Sequence, residues 1–327
     1  MLCYLVIFYK DFNTSYRYIR MGLIEDDSFT QQLNTGSMKR DVEEDVLPMW
    51  VADMDFKTSP EILDAFNDRI KQGVLGYTLI EDEWYESYIH WWKKRHDLTI
   101  DKDSLVFTTG VVPAISSIVR SMTNIAEYVV VVSDEIHCDI TELGKNYIPF
   151  AYVSDCCKYN SITCMAPSKA FNIAGIQTAA VMIPSKEIRV KVERGLNTDE
   201  VVEPNVLASI APIVAFNKGE ELREYLWNNR RYAQGYIEKE IPELYVAHTE
   251  ATYLLWIDYT RVIGHSSDLC QFLKERTGLY LCDGSEYKNG TGFLRMNLAG
   301  PLENVKEGLK CLKKGIKEYQ EYIGESC

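Results

Sequence analysis

Residues 128–140 read YVVVVSDEIHCDI. Tyr128–Val132 is a near-continuous apolar run with no polar residue to mark a wet face. It predicts a strand buried on both sides, as in the parallel sheets of α/β proteins. The polar residues just past its end stand where open α/β sheets place ligands. Asp134 is there either a buried acceptor or the N-cap of the next element, the two readings carrying equal weight. Glu135 and His137 lack the HExxH spacing, so no metal is expected.

The next strand outward is Ser161–Met165. It leads through Pro167-Ser168 into Lys169 and a glycine-containing turn (APSKAFNIAG, residues 166–175). A lysine at the end of a buried strand is costly to desolvate, so its pKa falls and its amine becomes a usable nucleophile or base. Most lysines are solvated surface charges, so the assignment depends on what surrounds this one. On the N-terminal side, a short strand at Leu105–Thr108 runs into TTGVVPAI (108–115). A helical pattern follows, with Ile115, Ile118, Val119 and Met122. Strand, glycine turn and helix N-terminus together aim backbone N–H groups and the positive end of the helix dipole at one spot, a place for a phosphate. One glycine before a helix also occurs in ordinary βα turns, so the motif alone is weak.

Further out, Thr58 or Ser59 can cap a helix with Pro60 at its first position, ending near Gly73. A helix over 81–96 carries Trp84, Tyr88, Trp91 and Trp92, read as core. Thr178–Ile183, 251–259 and 293–298 (FLRMNL, with Arg295) are predicted strands; 206–218, 220–240 and 268–276 are predicted helices. The last helix repeats Val305, Leu309, Leu312, Ile316, Tyr319 and Ile323 at spacings of three and four. Strands alternate with helices, so the class is α/β. A large domain is expected over 30–225, a smaller α+β domain over 226–327, and an arm or extension over 1–29.

The 327-residue chain carries a formal net charge of −13, which argues against a polyanionic partner such as nucleic acid. Lys310, Lys313, Lys314 and Lys317 form the richest basic run and read as the wet face of the last helix. Nine cysteines without CxxC spacing point to reduced thiols in a cytoplasmic protein, and five scattered histidines form no metal-ligand pattern. Met1–Tyr9 is apolar but lacks a basic leader and soon meets Lys10 and Asp11. It is too short to span a bilayer and a poor signal peptide. Met21 is a second possible start.

Seven segments occur in an order that resembles the fold-type I pyridoxal-phosphate enzymes: LPMWVADMDF (47–56), GVLGYT (73–78), TTGVVPAI (108–115), VVSDEIHCDI (131–140), APSKAFNIAG (166–175), PNVLASIA (204–211) and GFLRMN (292–297). More narrowly they resemble the cystathionine β-lyase branch of the class I/II aminotransferase superfamily, the MalY/PatB-type cysteine-S-conjugate β-lyases. The resemblance implies a transferase-like fold with a mainly parallel sheet in the large domain, and pyridoxal 5′-phosphate as cofactor. It implies that Lys169 carries the cofactor and then moves the substrate's Cα proton, while Asp134 pairs with the pyridine nitrogen. Gly110, Val111 and Val112 would offer N–H groups to the phosphate, with Ser168 and His137 also lining the cofactor. Tyr77 would reach the neighbouring subunit's phosphate, which implies a homodimer. Arg295 would clamp the α-carboxylate of a small sulfur-containing amino acid.

One departure stands out. Relatives place further strands and helices between the glycine loop and the SDEIH strand, with an aromatic that stacks on the pyridine ring and an Asn-Pro segment that bonds its phenolic oxygen. Here only Ala114–Val132 separates the two motifs. Ala166 also stands where relatives often have a serine touching the phosphate. The expected activity is a C–S β-lyase; an aminotransferase and a non-catalytic, internally deleted relative are the alternatives.

Overall fold

The computed structural model describes residues 36–43, 45–122, 130–217, 221–263 and 268–325. In chain order the elements are β1 (Leu47–Pro48), α1 (Pro60–Lys71), α2 (Asp82–His96), β2 (Leu105–Thr108), α3 (Val111–Met122), β3 (Val131–Asp134), α4 (Asp155–Tyr159), β4 (Ser161–Met165), β5 (Ala179–Met182) and α5 (Lys186–Thr198). There follow α6 (Ala211–Phe216), α7 (Glu221–Glu240), β6 (Tyr245–Val246), β7 (Leu254–Asp258), α8 (Thr260–Ile263), α9 (Leu269–Thr277), β8 (Leu279–Tyr280), β9 (Cys282–Asp283), β10 (Phe293–Asn297) and α10 (Leu302–Glu325).

The fold is α/β, with one four-stranded sheet in the order β2-β5-β4-β3 and a second in the order β6-β7-β10-β9. Ser161–Met165 and Ala179–Met182 are buried at every position, as apolar runs covered on both faces must be. In the first sheet β2, β3 and β4 run in the same direction, as expected of a mainly parallel sheet, and β5 lies antiparallel between β2 and β4. The reason is the connection: β4 returns to β5 through turns and a short 3-10 segment, whereas a parallel pair needs a long crossover.

The second sheet is antiparallel and covered by α7, α9 and α10. Val305, Leu309, Leu312, Ile316 and Tyr319 of α10 are all buried there. Each contributes roughly 1.5–3 kcal/mol relative to an exposed position. The basic residues of the same helix stay outside, paired as Lys310–Glu307, Lys313–Glu240 and Lys317–Glu321. Helix α7 runs through residue 225, where the large domain was expected to end. The segment before it also joins the second core, since Met49 packs into it and β1 pairs with β8.

Ser59 caps α1, its side chain accepting from the Ile62 amide, and Trp84, Tyr88, Trp91 and Trp92 are buried as core. Three differences remain. The strand expected at 128–132 is found at Val131–Asp134, residues 128–129 lying outside the described residues. The helix expected over 206–218 is confined to Ala211–Phe216, where Pro212 sits in its first turn. Helix α5 is additional: Ile188, Val192 and Leu196 recur every four residues but Gly195 interrupts the pattern, and that glycine lets α3 approach so closely that a Cβ there would lie 2.8 Å from Ser121 Cβ.

The seven cysteines within the described residues are free thiols. Burial pushes Cys164 in β4 and Cys270 in α9 from the usual 9 up to about 12. Unfolded thiols ionise first, so the stability these groups hold is complete below pH 9 and is lost as pH rises towards 12. Each steepens the fall by about 1.4 kcal/mol per pH unit in that window. Urea unfolding of Cys164→Ala between pH 9 and 11 should show a slope flatter by that amount; an unchanged slope would contradict the assignment.

Candidate active site

Strand register brings the sequence motifs to one edge. Thr108 stands opposite Ala179 and Phe107 opposite Ala180, while Met165 also pairs with Ala180. Asp134 in turn stands opposite Cys164. The C-terminal ends of β2, β4 and β3 are therefore level to within about one residue. The residues that follow them, 109–112, 166–169 and 135–137, emerge together. One strand, β5, separates the Gly110 turn from the Lys169 strand, a spacing of about 10 Å.

The wall facing that edge is the irregular segment 49–56, the core of LPMWVADMDF. With no ladder to join, its carbonyls must find partners elsewhere, and side chains from other elements supply several of them. Arg295 Nη2 donates to the Trp50 carbonyl at 2.8 Å. Lys169 Nζ donates to the Ala52 carbonyl at 2.5 Å, which Tyr253 also reaches through its hydroxyl at 3.3 Å. Asn297 Nδ2 donates to the carbonyls of Val51 at 2.5 Å and Asp53 at 2.6 Å, and its Oδ1 accepts from the Ala299 amide at 2.7 Å. Asn172 donates to the carbonyls of Phe56 and Met54. Behind the wall, buried Lys39 pairs with Asp55 at 2.8 Å and donates to the Asp53 carbonyl at 3.0 Å, tying the N-terminal arm to it.

Lys169 is partly buried in the turn after β4. Burial lowers its pKa, Arg295 lowers it further, and Asp53 and Asp134 pull it back up. His137 donates to or accepts from the Thr252 hydroxyl at 3.3 Å through Nδ1, and its ring packs edgewise on Tyr253. Burial, with Lys169 and Arg295 nearby, holds its pKa down at about 4, so it is neutral at physiological pH. Asp134 is exposed at the end of β3, with one carboxylate oxygen accepting from the Ile136 amide. Arg295, in the middle of β10, donates through Nη1 to the Tyr287 hydroxyl and lies over that ring, while its Nε is buried without a partner.

Gly110, Val111 and Val112 form the N-terminal turn of α3, whose first amides have no intrahelical acceptor. Ser168 sits in the turn beside Lys169, its carbonyl accepting from the Ile173 amide at 3.1 Å. The electrostatic contacts thus join Lys169, Asp134, His137 and Arg295 in one site. Tyr77 stays apart: it is 102% exposed on the extended segment after α1. Sequence reasoning missed Asn297, Asn172, Tyr253 and Tyr287. Asn297 alone left a signal, a polar residue at the end of an otherwise apolar strand.

Asn297→Ala would strand the Val51 and Asp53 carbonyls and the Ala299 amide. It should cost about 3 kcal/mol in a urea titration; a loss below 1 kcal/mol would mean that water replaces the amide.

His96, Cys138 and Asp139 also cluster, their ligand atoms within 4.8 Å of one another. Asp139 already accepts from Trp91 Nε1 and bonds His96 Nε2 at 2.9 Å. The group anchors α2 to the loop after β3.

No family model matches the chain. Cystathionine β-lyase PatB of Bacillus subtilis is 27% identical over 89% of this chain and 99% of its own length. The MalY protein of Escherichia coli is 24% identical over 84% of this chain and 92% of its own. A pyridoxal-phosphate-bound C–S lyase from Staphylococcus hominis superposes with a TM-score of 0.77 at 25% identity, covering 90% of this chain and 99% of that one. The PatB alignment runs over 383 positions, so about 90 residues of that relative have no counterpart here. In motif order, aligned strand ends and near-full-length coverage alike, the chain is similar to the cystathionine β-lyase PatB, to the MalY protein and to a pyridoxal-phosphate-bound C–S lyase.

Proposed function

We propose that the chain is a pyridoxal-phosphate-dependent carbon–sulfur β-lyase acting on cystathionine or a cysteine S-conjugate. The observation that carries this reading is the Lys169 amine, partly buried, lowered in pKa and placed between Arg295, Asp53 and Asp134. The donor set suits the cofactor: a primary amine, a carboxylate past the end of β3 and the open amides of α3. Bound there, pyridoxal phosphate supplies an electron sink for the pair left at the substrate's Cα.

The chain's own residues do the rest. Arg295 holds the substrate carboxylate. Lys169, neutral more readily than a solvated lysine, takes the Cα proton. Asp134 would keep a proton on the pyridine nitrogen, and Gly110, Val111, Val112 and Ser168 would hold the phosphate. Neutral His137 stands near Lys169 and Arg295 without adding charge. The substrate's Cβ–S bond breaks, the thiolate leaves, and the remaining enamine hydrolyses to pyruvate and ammonia.

We assign Tyr77 to a neighbouring subunit's phosphate in a homodimer; its exposure beside exposed Val74, Leu75 and Leu79 supports a partner covering this segment. A division into a large and a small unit near residue 225 and a cytoplasmic location complete the reading. Among the described residues no helix is long and apolar enough to cross a membrane.

The first test is a visible spectrum of the purified protein with pyridoxal phosphate, before and after borohydride. A reducible band, followed by pyruvate release without an added keto acid, supports the lyase; dependence on a keto acid would make it an aminotransferase. No band from folded protein would leave the non-catalytic reading, which the 90 missing counterpart positions favour.

A further inference from the structure

Residues 251–253 lead into β7 through a break in the backbone. Thr252 has φ +68°, in the left-handed region, where a β-branched residue is an outlier. Such a conformation persists only where its surroundings impose it. Here they do. The Thr252 amide donates to the Ile140 carbonyl at 2.8 Å, and Ala251 forms an antiparallel bridge with Thr141. Arg230, fully buried on α7, donates through Nη1 to the carbonyls of Leu254 at 2.8 Å and Thr252 at 3.4 Å.

The bend decides where two side chains go. Along a regular strand, residues 252 and 253 would face opposite ways. With the bend, both reach one imidazole. The Thr252 hydroxyl lies 3.3 Å from His137 Nδ1, and the Tyr253 ring packs edgewise on the same ring, centroids 5.8 Å apart. Tyr253 places its own hydroxyl on the Ala52 carbonyl, which Lys169 shares. Glycine would take the bend without strain but would bring no hydroxyl to His137.

A neutral imidazole has one donor nitrogen and one acceptor, so the bond made at one nitrogen sets the other. Among the described residues the Thr252 hydroxyl has no second partner. We propose that Thr252 is a positioning residue: bent into the left-handed region, it donates its hydroxyl to His137 Nδ1 and holds the ring as the tautomer protonated on Nε2. His137 then enters the site in one orientation, with Nε2 carrying its only N–H. The value of this for catalysis rests on the lyase reading; the tautomer itself is measured without turnover.

The test uses the cofactor-free full chain with isotopically labelled histidine, whose imidazole nitrogen NMR shifts report the tautomer. The signals of His137 are those absent from His137→Gln. Wild type should show Nδ1 unprotonated. Thr252→Val keeps the β-branch and removes the hydroxyl. In it the ratio of the Nε2–H form to the Nδ1–H form should fall about 5-fold, the effect of one hydrogen bond, and Thr252→Ser should restore it. Thr252→Gly should show the same fall, and it carries the test if the valine variant does not fold. A residue needed only for its bend would leave the ratio in Thr252→Val within about 2-fold of wild type. That result overturns the proposal, as does a wild-type His137 protonated on Nδ1. A tautomer set by Thr252 in a protein that forms no borohydride-reducible band would instead count against the lyase reading and leave this assignment standing.

Discussion

Lys169→Ala should lower lyase turnover by at least about 10³-fold and abolish the borohydride-reducible band, with no loss of stability. The two halves of that expectation have separate causes. Turnover falls because, among the described residues that follow the level strand ends, Lys169 is the only amine; His137, beside it, has a pKa of about 4 and is too weak to take a Cα proton. Stability holds because Tyr253 still donates to the Ala52 carbonyl that Lys169 leaves. Burial also disfavours the charged amine, so its removal relieves a penalty. Lys169→Arg should be equally inactive, since guanidinium stays protonated and cannot act as the base. A Lys169→Ala protein that keeps even a tenth of wild-type turnover would move the chemistry to another residue.

The sequence exposed the site's ends of strands more readily than its walls. An apolar run followed by polar residues announces both a buried strand and the place where it stops, and YVVVVSDEIH and SITCMAPSK are such runs. The register that levels Thr108, Asp134 and Met165 depends on long-range pairing through β5, which no local pattern contains. The wall at 49–56 was harder still. Its carbonyls are satisfied by Asn297, Asn172 and Tyr253, residues whose partners lie between about 115 and 250 positions away in sequence. Tyr287 gave no sign because it acts through Arg295 from a separate loop.

The mixed sheet bears on activity as well as topology. Among the described residues the first sheet has four strands with β3 at its edge, so Asp134 pairs there with one neighbouring strand instead of two. Its carboxylate is exposed, and water competes for the proton it would share. Cofactor affinity should therefore respond to whatever covers the edge of β3, even though that cover touches no cofactor atom.

Arg295→Lys should raise KM for the amino-acid substrate about 10- to 100-fold with much less change in kcat, because it removes a hydrogen bond to charge made equally in the ground state and the transition state. In the structure Nη2 is committed to the Trp50 carbonyl and Nη1 to the Tyr287 hydroxyl. A substrate carboxylate must therefore displace one of them. Tyr287 is the weaker holder: burial pushes its pKa up to about 12, so it offers a neutral oxygen, and a carboxylate forms a charge-assisted bond about twice as strong. Trp50 is fixed in the wall by its neighbours. Tyr287→Phe should accordingly leave KM unchanged or lower it, freeing Nη1 in advance. Were Tyr287→Phe to raise KM as far as Arg295→Lys does, the hydroxyl would be positioning the guanidinium, and the carboxylate would have to approach from the Nε side.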